Sequence, residues 1–113
     1  MEWNKLEHLE DLDQLEALST EKPVIVFKHS TRCSISAAAL NRLERKWDAQ
    51  EMKNSEIYYL DLIRYREISN EIASKFGIVH QSPQVLVIRD GQIVHEASHF
   101  GIDYQTLNKV VND

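Results

Sequence analysis

Two short runs of β-branched and other apolar residues, 24–27 and 85–88, constrain the fold of this chain more than any other feature. An unbroken apolar run of this length is typical of a strand that is buried on both faces, as in a sheet with helices above and below it. A third run, 57–62, has the same character. These runs predict a sheet that is covered on both sides.

Apolar residues recur every three or four positions in four other stretches, as they do along the buried face of a helix. The predicted helices span 6–18, 34–50, 65–76 and 104–112. The Asp90-Gly91 pair predicts a hairpin whose second strand is 93–97. The order α-β-α-β-α-β-β-α predicts an α/β fold with a four-stranded mixed sheet flanked by helices. A chain of 113 residues can form one domain around one core, and we expect that domain to span 1–113.

Composition and charge exclude several classes of function. The net charge of −5 argues against a nucleic-acid partner, which usually meets a basic face. The sequence has no apolar stretch long enough to span a membrane, and its N-terminus lacks the layout of a signal peptide. A single cysteine cannot form an internal disulfide, so we expect a cytoplasmic protein. His95 and His99 are too far apart along a strand to share one metal ion, and we expect no metal site.

Cys33, the only cysteine of the chain, lies between the first apolar run and the predicted helix at 34–50. At a helix N-terminus, the unpaired N–H groups and the positive end of the helix dipole favour the thiolate over the thiol. Free cysteines are often buried hydrophobes, but the polar residues on both sides of Cys33 favour an accessible loop. The sequence therefore predicts an exposed nucleophilic cysteine, with the charge of Arg32 beside it.

Pro83 follows Ser82 just before the run at 85–88. Proline cannot donate a hydrogen bond to a strand ladder, so it marks a strand start, an edge or a cis turn. The residues alone leave open whether the Ser82–Pro83 bond is trans, as most such bonds are, or cis.

Taken together, these features resemble the thioredoxin fold over essentially the whole chain. The stretch 27–36, Phe-Lys-His-Ser-Thr-Arg-Cys-Ser-Ile-Ser, is similar to the active-site stretch of the YtxJ-like monothiol bacilliredoxins. The segment 82–85, Ser-Pro-Gln-Val, resembles the cis-proline segment of glutaredoxins. Ser34 departs from the pattern, since this family usually has proline directly after the cysteine.

The resemblance implies a thiol–disulfide oxidoreductase in which Cys33 attacks bacillithiol mixed disulfides on client proteins. Pro83 would be a cis-proline facing Cys33, and Ser82 would offer backbone hydrogen bonds to the substrate. Ser36 stands where dithiol thioredoxins have their second cysteine. Because a hydroxyl cannot displace a thiol from a disulfide, Cys33 would be released by free bacillithiol or by another redoxin. Bacillithiol is then a co-substrate, and no bound cofactor is expected.

Several neighbouring residues are candidates for binding the thiolate or the substrate. Hydrogen bonds from Ser36 and Thr31 would favour the thiolate, as would the charge of Arg32. The malate carboxylates of bacillithiol need cationic or N–H partners, for which the sequence offers three candidates. These are Arg32, the rim residues Lys28 and His29, and the backbone near Gly101 before the last helix, where Asp103 is the expected N-cap.

Two other functions stay open at this point. A monothiol glutaredoxin-like protein can carry an iron–sulfur cluster, with one cysteine from each of two subunits and external thiols as the other ligands. Alternatively, Cys33 is only modified under stress, in a non-catalytic sensing or binding module.

Overall fold

The structure, a computed structural model, describes residues 3–113. Within that range it contains four α-helices, five strands and one short 3-10 turn. In chain order these elements are β1 (Asn4–Lys5), α1 (Glu10–Leu18), β2 (Val24–His29), α2 (Ser34–Lys46), β3 (Glu56–Asp61), α3 (Arg66–Phe76), β4 (Gln84–Arg89), β5 (Gln92–Ser98), the 3-10 turn His99–Gly101 and α4 (Tyr104–Asn112).

The strands form one mixed sheet in the order β1-β3-β2-β4-β5. Strand β3 pairs parallel with both β1 and β2, whereas β4 pairs antiparallel with β2 and with β5. The mixed α/β architecture is as predicted, but the sheet has five strands rather than four. The additional strand β1 has only two residues, too few to produce a recognisable sequence pattern.

Helices cover the sheet on both faces, and each face has its own hydrophobic core. Ile25 and Phe27 of β2 pack with residues of α2 and α4 on one face. Val24 and Val26 pack with residues of α1 and α3 on the other. Because side chains alternate along a strand, consecutive residues of β2 contribute to opposite cores.

Three differences from the predicted elements bear on the site. Helix α1 begins at Glu10 rather than at residue 6, although Leu6 is buried in the core. Helix α2 ends at Lys46, because Trp47 has an extended backbone. Strand β2 continues two residues beyond its apolar run, which buries Lys28 and His29.

The predicted helix end at Gly77 and the predicted turn at Asp90–Gly91 are both present. Gly77 ends α3 in the left-handed conformation, with φ at 65°, as a glycine C-cap does. Asp90 and Gly91 both have positive φ and connect β4 to β5, as the hairpin prediction required. None of the helices found in residues 3–113 is long and apolar enough to cross a membrane.

Candidate active site

Cys33 lies at the junction between the central strand of the sheet and a helix. After β2 ends at His29, three residues lead to Cys33, which is the N-cap of α2. Its backbone N–H donates to the carbonyl of Ser30 at 3.1 Å, which closes a tight turn. The residue is partly exposed. The thiol therefore lies at the end of α2 where the first-turn N–H groups lack helical acceptors.

The Ser82–Pro83 segment reaches the same end of the sheet. Strand β4 begins at Gln84, which pairs with Lys28 near the end of β2. The Ser82–Pro83 peptide bond is cis. The carbonyl of Pro83 accepts a hydrogen bond from the His99 N–H at 3.1 Å, which holds the 3-10 turn beside it. The Ser82 hydroxyl oxygen is buried and has no hydrogen-bond partner within residues 3–113.

Ser36 is completely buried beneath the Cys33 turn. Its Oγ accepts a hydrogen bond from the Ser30 backbone N–H at 3.0 Å and lies 2.6 Å from Nδ1 of His29. Burial lowers the pKa of His29, against the opposing effect of the Asp61 and Glu44 carboxylates. Among the hydrogen bonds of the described residues, none joins the Ser36 hydroxyl to Cys33.

The expectation that Lys28 and His29 form an exposed cationic rim is wrong. Lys28 is 0% exposed and His29 only 7% exposed, because both belong to the central strand β2. The Lys28 ammonium Nζ lies 2.8 Å from Nδ1 of His80, in the loop before Pro83. The Ser69 hydroxyl lies 3.4 Å from the same His80 nitrogen.

Lys28 is buried whereas His80 is exposed, and both have altered acidity. Burial lowers the pKa of Lys28 to about 8. The pKa of His80 is lowered first by partial desolvation of its ring, and then by the positive charges of Lys28 and Arg66. At neutral pH a mostly charged Lys28 therefore donates to a neutral His80 ring.

The other predicted site residues lie on the surface. Arg32 and Thr31 are exposed in the Cys33 turn. Gly101 is exposed in the 3-10 turn. Asp103 is the N-cap of α4, as predicted, and accepts a hydrogen bond from the Thr106 N–H at 3.0 Å.

Arg42 joins α2 to the segment that holds Gly101. Its guanidinium donates to the carbonyls of His99 and Ile102 at 3.2 Å and 3.3 Å. The helix that carries Cys33, the 3-10 turn and Pro83 are thus connected by hydrogen bonds. Nothing in the local sequence around Arg42 indicates this contact, which is formed by residues far apart in the chain.

Exposed apolar side chains surround these loops. Ile35, in the first turn of α2, is 43% exposed, and Val79, in the loop before Pro83, is 77% exposed. Phe100, next to His99 in the 3-10 turn, is 81% exposed. Sequence reasoning missed Val79 and Phe100, which lie in irregular segments where hydrophobic periodicity gives no signal.

A mixed sheet of this order, with a cysteine where its central strand meets a helix, is the architecture of the thioredoxin fold. The chain is similar to a solved structure described as a candidate oxidoreductase with a thioredoxin fold. That likeness has 30% identity and a TM-score of 0.77, and covers 94% of this chain and 90% of the other.

Two thioredoxins have the same fold at lower identity. The thioredoxin of Fasciola hepatica is 20% identical with a TM-score of 0.70, over 96% of this chain and 95% of the other. The Malassezia sympodialis thioredoxin is 15% identical with a TM-score of 0.74, over 97% of this chain and 88% of the other.

A family model described as monothiol bacilliredoxin BrxC matches residues 4–107. The chain therefore belongs to the monothiol bacilliredoxin family, and the resemblance predicted from the Cys33 stretch is confirmed. The thioredoxin fold and the thiol–disulfide oxidoreductase class are confirmed with it.

Proposed function

We propose that this protein removes bacillithiol from mixed disulfides on client proteins, using Cys33 as the attacking thiol. One observation carries the proposal. The only thiol of the chain lies partly exposed at the N-terminus of α2, and a serine occupies the position three residues later. A thiol–disulfide oxidoreductase must attack through a thiol, and this chain offers no other.

In the first step, the Cys33 thiolate attacks the bacillithiol sulfur of the mixed disulfide. A new disulfide forms between Cys33 and bacillithiol, and the old disulfide breaks. The client leaves as a thiolate that takes a proton from solvent, so no net oxidation occurs. Cys33 is the N-cap of α2 and follows the exposed Arg32, so positive potential lies near the attacking sulfur and its negative charge. A hydrogen bond from the exposed Thr31 hydroxyl is a further proposed source of stabilisation.

The second step requires a thiol from outside the chain. Ser36 cannot displace bacillithiol, because an alkoxide is neither available at neutral pH nor able to form a disulfide. Free bacillithiol, or the thiol of another redoxin, attacks the mixed disulfide on Cys33 and regenerates its thiolate. The bacillithiol leaves in a disulfide with the incoming thiol, which completes a monothiol cycle.

Arg32 is our main candidate for binding the malate carboxylates of bacillithiol. It is exposed beside Cys33 and makes no ion pair within residues 3–113. A guanidinium can bind a carboxylate through two parallel hydrogen bonds. Lys28 is buried against His80 and supports the charge of the site only from a distance.

Gly101 and the Ser82–Pro83 segment are the other proposed contacts of the substrate. Gly101 offers exposed backbone, but the Asp103 carboxylate beside it already caps α4 and disfavours a second anion there. At Ser82, the backbone groups beside the Ser82–Pro83 bond are our candidates for hydrogen bonds with an extended substrate.

The exposed apolar side chains favour a protein as the second half of the substrate. Ile35, Val79 and Phe100 lie around the loops of Cys33 and Pro83. A small sugar thiol with a malate unit has little apolar surface with which to cover them. Large exposed apolar side chains in the segments beside a reactive thiol are typical of a surface that binds other proteins. The lone free cysteine fits the cytoplasm that we propose as the location of these clients.

The test is turnover with a client protein that carries bacillithiol in a mixed disulfide. The rate of bacillithiol release is measured with free bacillithiol present, for the wild type and for Cys33→Ser. We expect Cys33→Ser to lose all turnover above the uncatalysed rate while its circular dichroism is unchanged. Equal rates for the two proteins would instead indicate a non-catalytic sensing or binding module.

A second comparison tests the choice of small thiol. Arg32→Ala should raise KM for the bacillithiol substrate about tenfold, and change little when 2-mercaptoethanol, which has no carboxylate, replaces bacillithiol. Arg45→Ala, in the last turn of α2, is the matched control because Arg45 is also exposed. Equal turnover of the two mixed disulfides would contradict a preference for bacillithiol but leave the oxidoreductase class intact.

A further inference from the structure

Ser36 occupies the position of the second cysteine of dithiol thioredoxins, and its hydroxyl also makes hydrogen bonds next to the Cys33 turn. Its hydroxyl is fully buried, and both of its hydrogen-bond partners precede Cys33 in the chain. The Ser30 backbone N–H can only donate, so at that contact Oγ is the acceptor. The hydroxyl can donate its own proton only at the second contact, to Nδ1 of His29 at 2.6 Å.

A hydroxyl has one proton to donate. A neutral imidazole accepts at one ring nitrogen when the other carries the proton. If Nε2 of His29 carries the proton, Nδ1 accepts from Ser36, and no hydroxyl proton remains for the Cys33 sulfur. A buried, unprotonated Nδ1 that accepted no hydrogen bond would be destabilised, so it requires the proton of the Ser36 hydroxyl.

We propose that Ser36 is a positioning residue that fixes the turn carrying Cys33, by accepting from the Ser30 N–H and donating to His29 Nδ1. The Ser30 carbonyl in turn accepts from the Cys33 N–H at 3.1 Å. Ser36 is therefore joined to the Cys33 backbone through one residue, in addition to the helix. The turn cannot move away from the first turn of α2 without breaking one of these bonds.

This arrangement makes one residue responsible for two properties of the site. The serine excludes an intramolecular second step, and its hydroxyl holds the attacking sulfur at the positive end of α2. The inference rests on Cys33 being the attacking thiol, as proposed above. It differs from the expectation that Ser36 donates directly to the thiolate.

The tautomer of His29 in the wild-type protein decides between these two roles. We expect nitrogen-15 NMR at pH 7.5 to show an unprotonated Nδ1 and a protonated Nε2. A protonated Nδ1 would overturn the proposal, because the Ser36 proton would then be free to bind the sulfur. This measurement needs neither a variant nor a substrate.

Amide hydrogen exchange tests the positioning itself. In Ser36→Ala, exchange at the Ser30 and Cys33 amides should rise about tenfold, as expected when a hydrogen bond of about 1.4 kcal/mol is lost. Amides of β4 should keep their protection. Ser74→Ala, an exposed serine of α3, is the matched control and should change neither set. Unchanged protection at Ser30 in a folded Ser36→Ala protein would contradict the proposal.

Alkylation of Cys33 by iodoacetamide at pH 7 provides the chemical measurement without any bacillithiol. We expect Ser36→Ala and His29→Leu to react up to about tenfold more slowly than the wild type. His29→Asn should keep nearly the wild-type rate, because its amide oxygen occupies the position of Nδ1. If Ser36 instead donated to the sulfur, His29→Leu would leave that hydrogen bond in place and the rate unchanged or higher.

These outcomes separate the two proposals. If the wild type did not turn over the bacillithiol mixed disulfide although iodoacetamide alkylated Cys33 at the expected rate, the proposed substrate would be contradicted. Normal turnover in Ser36→Ala, with unchanged Ser30 protection, would count against the positioning role alone.

Discussion

The last two residues of β2 bury polar side chains on opposite faces of the sheet, and the two faces accommodate them differently. On the α2 face, His29 is neutral and pairs with the Ser36 hydroxyl. On the α3 face, Lys28 is fully buried and its ammonium meets the neutral ring of His80. Within residues 3–113, no carboxylate lies within ion-pair distance of Lys28.

The difference shows that the free-energy cost of burying a polar group depends on its charge and its partner as well as on burial. Neutral groups with matched donors and acceptors are nearly compensated when buried, as in the His29 pair. A buried charge with only a neutral partner keeps much of its desolvation cost, which lowers the pKa of Lys28. The α2 face therefore buries a neutral hydrogen-bonded pair next to the Cys33 turn, whereas the α3 face buries a charge whose acceptor lies in the loop before Pro83.

The largest expected effect on this comparison comes from removing the partner of the buried charge. His80→Ala should lower the free energy of unfolding by about 1–3 kcal/mol at pH 7, since the buried Lys28 ammonium then loses its acceptor and only water at the exposed His80 position can replace it. Lys28→Met, which removes the charge and keeps the side-chain length, should cost less than about 1.5 kcal/mol or stabilise the fold. Urea denaturation measures both, with His8→Ala as the control for an exposed histidine. A His80→Ala cost no greater than that of His8→Ala would show that the contact does not hold the loop.

A smaller effect is expected from alkaline titration of Lys28. Its pKa is about 8 in the fold and about 10.5 when unfolded, so the unfolded chain binds more protons between those values. Stability contributed by this group therefore rises with pH across that window, by at most about 1.4 kcal/mol per pH unit. The wild type should gain stability relative to Lys28→Met between pH 8 and 10, while Lys53→Met, at an exposed site, should track the wild type. A constant difference between wild type and Lys28→Met would mean that Lys28 is not desolvated.

The smallest effect is expected on the other face at acid pH. Burial lowers the pKa of His29, so the unfolded chain takes up this proton first as the pH falls below 6.5. Stability contributed by the neutral ring is present above pH 6.5 and is lost as the pH falls through the folded pKa. His29→Asn, which keeps an acceptor without a titrating ring, should lose less stability between pH 6.5 and 5 than the wild type. Thermal unfolding of both proteins across that range makes the comparison, and parallel curves would contradict it.

The sequence was most informative where a pattern extends over several residues. The apolar runs gave the three inner strands, the Asp90-Gly91 pair gave the hairpin, and Cys33 was placed at the start of α2. It was least informative at the end of β2. Lys28 and His29 appeared to be exposed because charged residues usually are, yet a central strand continues through them.

Two signals for these buried residues were present but incomplete. A strand buried on both faces also buries polar residues that extend it, which points to Lys28 and His29 once the strand end is known. Their partners Ser36 and His80 lie seven and 52 residues away in the chain, and no local pattern links them. Val79 and Phe100 were missed because exposure in an irregular loop depends on what packs against it.

By itself, the sequence determined the order of helices and strands, the monothiol chemistry and the position of its sulfur at a helix N-terminus. These follow from local periodicity and from the presence of a single cysteine, which no tertiary contact can change. Only the tertiary structure decided which polar side chains are buried, which hydroxyl supports the Cys33 turn and which cations remain available to a substrate. Those properties depend on strand pairing and on helix packing between distant residues, and the free energy of a buried polar group is set by its neighbours rather than by its place in the chain.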